Sequence, residues 1–244
     1  MTGEIITTVN DNITLAELAS GQRFGTDALL LAALAERSAG CKAVEIGTGS
    51  GIVSLLCADR DKFSHIDALE VQQPLAELCG RNIERNNLSD IITAICADVR
   101  EYAQNTSAVA AYDAALCNPP YMRADSGRRS ADPGRDGARR ELNGGITEIC
   151  SSVARLLRRG GVFYIVYRPD RAVDLVCALR AASLEPKKLV FVCDEAGRAP
   201  CLMLVAAIRG AGRSLEIAPP FILRDRGAPT SEYAYLLENG SFPG

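Results

Sequence analysis

Residues 42–51, KAVEIGTGSG, carry a short apolar stretch into three alternating glycines, Gly47, Gly49 and Gly51, and the following IVSLLCADR has the spacing of a helix. A strand that turns through alternate glycines into a helix is compatible with few architectures. Glycine permits positive φ and leaves no side chain where a ligand must approach, and open α/β sheets bind their ligands at the carboxyl ends of strands. The spacing is G-x-G-x-G. A dinucleotide fingerprint would need its third glycine where this chain has Ile52, so the loop favours a nucleoside cofactor without a pyrophosphate.

The rest of the chain repeats the strand-then-helix alternation. HIDALEV (65–71) reads as a second strand, PLAELCGRNIERNN (74–87) as a helix opened by Pro74, IITAICAD (91–98) as a third strand and YDAALCN (112–118) as a fourth. GITEICSSVARLLRR (145–159) predicts a helix ended by Gly160 and Gly161, VFYIVYR a fifth strand, and RAVDLVCALRAASL another helix. KKLVFVC (187–193) and APCLMLVAAI (199–208) are two apolar strands with no helix between them, which predicts a hairpin. Alternation followed by a hairpin specifies an α/β fold with a doubly wound, mostly parallel seven-stranded sheet and a C-terminal antiparallel hairpin. At 244 residues the chain suits one domain. Residues 1–38 form an extension to it: a weak hairpin around Asn10 to Asn12, then a helix opened at Thr26 with Asp27 in its first turn.

Composition narrows the class. With 48% hydrophobic and 23% charged residues, no leader pattern and no apolar run near the length of a bilayer span, a soluble cytoplasmic protein without membrane contact is expected. Nine cysteines stand singly, at 41, 57, 79, 96, 117, 150, 177, 193 and 201, without a C-x-x-C, and His65 is the sole histidine. They are read as small core residues in a reducing compartment, and no metal site is expected. The net charge of −3 argues against a protein that coats nucleic acid over its whole surface. Between Met122 and Arg140, however, six arginines face three aspartates in a stretch rich in Gly, Ser and Pro, so 122–142 is expected to be a flexible basic loop beside the site.

Three acids close strands around the glycine loop: Glu45 just before it, Glu70 at the end of the second strand and Asp98 at the end of the third. Glu70 lies about 20 residues beyond the last glycine, where an acid can accept from both ribose hydroxyls. The fourth strand runs into CNPPYMR. Two prolines fix two φ angles and remove two donors, so the Asn118 amide and neighbouring carbonyls sit in a stiff turn beside the ring of Tyr121, a set of acceptors suited to a planar amine.

E-I-G-T-G-S-G, the acid after the second strand, C-A-D after the third and N-P-P-Y after the fourth, in that order over roughly residues 40–210, resemble a Rossmann-like, class I S-adenosylmethionine-dependent methyltransferase. The turn resembles that of enzymes methylating an exocyclic or amide nitrogen: adenine N6, guanine N2 or glutamine N5. Q-R-F-G-T-D-A-L-L-L-A-A-L and E-P-K-K-L-V-F-V are similar to the bacterial tRNA1(Val) adenine-N6-methyltransferase family, whereas the segment before Gln22 matches it poorly. The resemblance implies S-adenosylmethionine held by Glu45, Gly47, Thr48, Gly49, Gly51, Glu70, Asp98 and Asn118. It implies catalysis by Asn118, Pro119, Pro120 and Tyr121, and an RNA substrate, a tRNA modified near its anticodon. Arg23, Phe24 and Asp27 are secondary candidates placed over the pocket by the same resemblance. The alternative is a protein-glutamine N5 or guanine-N2 rRNA methyltransferase using the same turn. The oligomeric state is not specified by the sequence.

Overall fold

The computed structural model of the protein describes residues 3–19, 23–36, 38, 40–119 and 145–243. Pro120, Tyr121 and the arginine-rich stretch 122–142 lie outside the described residues. An antiparallel hairpin of β1 (Glu4–Thr8) and β2 (Thr14–Leu18) comes first, then α1 (Thr26–Leu34). The alternating series follows: β3 (Lys42–Ile46), α2 (Ile52–Asp59), β4 (His65–Glu70), α3 (Gln73–Arg85), β5 (Ile92–Cys96), α4 (Val99–Tyr102) and β6 (Tyr112–Cys117). The chain continues through α5 (Ile146–Leu156), β7 (Leu157–Tyr167), α6 (Ala172–Ala181), β8 (Leu184–Glu195) and β9 (Leu202–Arg209). Three short strands, β10 (Glu216–Ile217), β11 (Phe221–Asp225) and β12 (Ala228–Pro229), precede α7 (Ser231–Asn239).

The expected mostly parallel sheet is present, with β8, β9, β7, β6, β3, β4 and β5 side by side in that order. β9 is antiparallel to both neighbours, and β3 through β7 are parallel. The sheet is wider than the expected seven strands: β10 and β11 add to β8 in parallel and β12 closes on β11.

Both faces of the sheet are covered, which explains why its strands read as unbroken apolar runs. Along β7, Phe163 and Ile165 enter the core under α5 and α6, while Tyr164 and Val166 enter the opposite core with α1 and α2. In β6, Ala115 and Cys117 take the first side and Ala114 and Leu116 the second. This is the period-two alternation of a strand filled on both faces.

Three local expectations are corrected. The helix after residue 145 ends at Leu156 rather than at the Gly160–Gly161 pair, and Leu157 already pairs with Tyr112 in the sheet. Residues 158–161 bulge out before Val162 resumes pairing with Ala114. Gly160 supplies a φ of +79°, and a Cβ on Gly161 would lie 3.1 Å from the Asp113 carbonyl oxygen. Helix α1 is capped by the Gly25 backbone and makes no side-chain cap, so Thr26 is its first residue instead of its cap. Of the cysteines read as core residues, Cys57, Cys79, Cys117, Cys150 and Cys193 are buried, but Cys96, Cys177 and Cys201 are exposed. Burial pushes the Cys57 and Cys79 thiols up to about 12, which keeps them protonated.

The N-terminal hairpin is stitched to α3 by side chains that imitate a strand. Asn86 exchanges two hydrogen bonds with the Thr14 backbone, and Asn82 does the same with Ala16. These amides satisfy the edge of β2 that β1 leaves open. Asn10 and Asn12 also donate to Asp59 at the end of α2. Among the described residues no helix is long and apolar enough to cross a membrane.

Candidate active site

The glycine loop leaves β3 and folds over the end of β4. The Gly47 and Thr48 amides both donate to the Leu69 carbonyl at 2.9 Å, and Gly51 N–H closes the turn on Thr48 O at 2.9 Å. Gly49 has φ +58°, and among the described residues a Cβ built on Gly47 or Gly49 meets no protein atom within 4 Å, so both glycines border open space there. Gly51 differs: a Cβ there would come within 2.8 Å of Cys79 Sγ, so this glycine serves the packing of α2 against α3.

Beneath the loop lies Glu45, only 2% exposed. Its Oε2 accepts from Thr48 Oγ1 at 2.7 Å, from Ser54 N–H at 3.0 Å and from the Ser54 hydroxyl. Burial dominates its titration and pushes the carboxyl up to about 7, against the opposing pull of the Ser54 and Thr48 hydrogen bonds. The geometry makes Glu45 a tie between both ends of the glycine turn.

Glu70, also buried, ends β4 and stands beside the open side of the loop. Oε2 accepts from Gly49 N–H at 3.0 Å and Oε1 from Gln72 N–H at 2.9 Å. Each oxygen thus spends one lone pair on the backbone, in a carboxylate fixed in orientation and able to accept once more at each end. Ala97 N–H donates to the Glu70 carbonyl, bringing the end of β5 alongside. Asp98 then caps α4, and its carboxylate is clasped by Arg100 through Nε at 3.0 Å and a second nitrogen at 2.5 Å. The hydrogen bond from Arg100 holds the Asp98 carboxyl below its ordinary range.

Ile46 of β3 pairs with Cys117 of β6, so the next residues, Gly47 and Asn118, leave neighbouring strands at the same level. Asn118 Nδ2 donates to Asp27 Oδ2 at 3.0 Å. Asp27 comes from the first turn of α1, and its Oδ1 accepts from Ala28 N–H at 3.0 Å. Phe24 N–H donates to the buried Glu17 carboxylate at 2.6 Å, while Arg23 is exposed. The structure therefore brings the glycine loop, Glu70, Asn118 and Asp27 together at one edge and sets Glu45 below and Asp98 to the side. Pro119 follows Asn118 at that edge, and Pro120 and Tyr121 are outside the described residues.

Sequence reasoning missed Glu17, Ser54 and Asn82. Asn82 is fully buried in α3 and donates to Ser50 O in the glycine loop as well as to Ala16 O in β2. The partners of Asn82 are remote in sequence, and Glu17–Phe24 and Ser54–Glu45, though only 7 and 9 positions apart, join different elements, so no pattern within one strand or helix marks these residues. Among the described residues, no group of three or more His, Cys, Asp and Glu side chains could hold a metal ion.

The chain is similar to known proteins in sequence and in fold. In sequence the chain is 30% identical over 184 residues to a tRNA1(Val) (adenine(37)-N6)-methyltransferase of Bacteroides fragilis, covering 75% of this chain and 76% of the relative. It is likewise 30% identical over 190 residues to the enzyme of that name in Shewanella amazonensis, covering 78% and 79%. In structure it superposes on a predicted O-methyltransferase from Agrobacterium tumefaciens with a TM-score of 0.69 at 22% identity, covering 88% of this chain and 96% of that one. The 16S rRNA N2 G1207 methyltransferase of T. Thermophilus, solved with AdoMet and guanosine, gives 0.59 at 18% identity over 85% of this chain and 50% of its own. These two structural likenesses bear on the fold, which is that of class I methyltransferases. The model of the methyltransferase small domain matches residues 22–179, spanning the glycine loop, Glu70, Asp98 and Asn118, and the chain belongs to that family of methyltransferases.

Proposed function

We propose that the protein transfers a methyl group from S-adenosylmethionine to the exocyclic N6 of an adenine in RNA, a tRNA modified near its anticodon. The observation that carries this reading is the placement of Asn118 beside the first glycine of the loop, with Nδ2 turned to the Asp27 carboxylate. S-adenosylmethionine supplies a methyl group on a positively charged sulfur, which becomes a neutral leaving group.

The residues present suit that donor. Gly47 and Gly49 leave open the space a side chain would fill, and Glu70 presents one remaining acceptor position on each oxygen to a ribose diol. The hydrogen bond from Ala97 N–H to the Glu70 carbonyl, with Asp98 the next residue, supports a place for this turn beside the donor. Glu70 also places negative charge where a cationic donor is to be held.

On the acceptor side, the adenine amine is a weak nucleophile because its lone pair is delocalised into the ring. Asn118 Oδ1 and the Pro119 carbonyl accept its two hydrogens, which draws the lone pair out of conjugation and aims it at the methyl carbon. The nitrogen pair would form the new N–C bond as the S–C pair is left on sulfur; the methylated nitrogen, then cationic and strongly acidic, would lose one N–H proton to water, so no strong base is needed. Tyr121 stacks on the base, as aromatic side chains do for unpaired RNA bases. Alignment of amine, methyl and sulfur supplies much of the acceleration.

Total tRNA from cells lacking the enzyme, methylated in vitro and analysed by nucleoside mass spectrometry, tests base and atom together. N6-methyladenosine supports the reading. N2-methylguanosine, or methyl groups appearing only on glutamine of added protein, would replace it with the other chemistries that suit the same turn. Asn118→Ala should lose nearly all single-turnover activity even at saturating S-adenosylmethionine.

A further inference from the structure

We propose that Asp27 is a positioning residue for the methyl transfer: it dictates which end of the Asn118 amide faces the amine. The inference rests on the role assigned above to Asn118.

A side-chain amide has two ends of nearly equal size and opposite hydrogen-bonding character, and a half-turn about its last torsion exchanges them. Only one orientation presents oxygen to an amine hydrogen. An ionised carboxylate can only accept, so Asp27 Oδ2 at 3.0 Å from Asn118 Nδ2 admits the orientation in which nitrogen points at Asp27. The flipped amide would set two acceptor oxygens against each other at that distance. The carboxylate also draws charge through the amide, which makes Oδ1 a stronger acceptor.

Asp27 is itself held in place. Its Oδ1 accepts from Ala28 N–H in the first turn of α1, where helix N–H groups favour negative charge. The chain entering the helix leaves room for it: a Cβ on Gly25 would stand 2.8 Å from Asp27 Oδ1. The other end of α1 is fixed by the buried Lys62 ammonium, which donates to the Ala32 and Ala35 carbonyls at 2.7 and 2.6 Å. The segment preceding the first sheet strand thus reaches into the site through one rigid helix.

The test is a set of single-turnover rates on tRNA from cells lacking the enzyme, with S-adenosylmethionine affinity measured by calorimetry for each variant. Asp27→Ala should lower the rate by about 100-fold, the cost of a small misplacement of a reacting group, with donor affinity unchanged. Asn118→Asp alone sets two carboxylates at the same contact and should work only at acid pH, where they share a proton. Combining Asn118→Asp with Asp27→Asn exchanges donor and acceptor, and should restore a rate well above that of Asn118→Asp with its acid requirement removed. A merely structural Asp27 would not produce this rescue. If Asp27→Ala turns over at the wild-type rate while Asn118→Ala is inactive, the inference falls and the role of Asn118 stands. If Asn118→Ala itself keeps the wild-type rate, the underlying reading falls. Should Asp27→Ala fail to fold, the exchange decides, and a double variant no faster than Asn118→Asp overturns the proposal.

Discussion

Glu45→Gln isolates the energetic cost of the carboxylate buried under the glycine loop. In the folded protein burial raises the Glu45 carboxyl from 4.5 to about 7, so between these values the folded chain keeps a proton that the unfolded chain has released. The stability this proton contributes is therefore full below the lower value, declines as pH rises, and is lost completely above about 7. At about 1.4 kcal/mol per pH unit, the loss amounts to about 3 kcal/mol. The substituted glutamine keeps a carbonyl to accept from Ser54 and has no proton to release, so the variant lacks this decline. Urea denaturation followed by circular dichroism, on wild type and Glu45→Gln between about pH 5 and pH 9, reads the difference directly, because other titrating groups are common to both. The wild-type advantage should shrink, or its deficit deepen, as pH rises through 7. A difference that stays flat or moves the other way would show that the hydrogen bonds from Ser54 and Thr48 outweigh desolvation.

Gly49→Val should fold and fail to bind S-adenosylmethionine in calorimetry, since the branched side chain enters the open space and the φ of +58° suits glycine; unchanged affinity in a folded variant refutes the pocket. Glu70→Ala should weaken donor binding by about 1–3 kcal/mol as ribose acceptors are lost and the Gly49 and Gln72 amides are released; equal titrations would remove Glu70 from the site. Lys62→Met should destabilise the protein by about 2 kcal/mol in thermal or urea unfolding, because the carbonyls ending α1 lose their buried donor. A variant as stable as wild type would mean that those carbonyls find water.

The parallel strands were legible because a sheet covered on both faces leaves long apolar runs between glycine turns. KAVEI, HIDALE and YDAALC could hardly be anything else once alternation was recognised. The boundary after α5 was not legible. Leu157 is as apolar as Leu156 and as buried, so a helical period continues through the point where the chain becomes a strand. Gly160 and Gly161 then look like a helix stop although they serve a bulge. The strands β10 and β12 are two residues each and carry no periodicity. The glycine loop and the Asn-Pro-Pro turn stood out because their chemistry lies in consecutive residues. Asp27 and Asn118 are 91 positions apart, and Asn82 and Ala16 are 66 apart, so their contacts arise only from the fold.

The insertion of β9 between β7 and β8 has a consequence for synthesis on the ribosome. By residue 167 the nascent chain has made every parallel strand from β3 to β7, yet the outer edge of β7, VFYIVY, has no partner until residues 202–209 emerge. During that interval an apolar ribbon with free amides and carbonyls stands open to any other extended chain, including a second nascent copy. A holdase bound to that edge, or rapid synthesis from residue 168 through β9 and its release from the ribosome, would protect the yield of the protein without touching its finished structure.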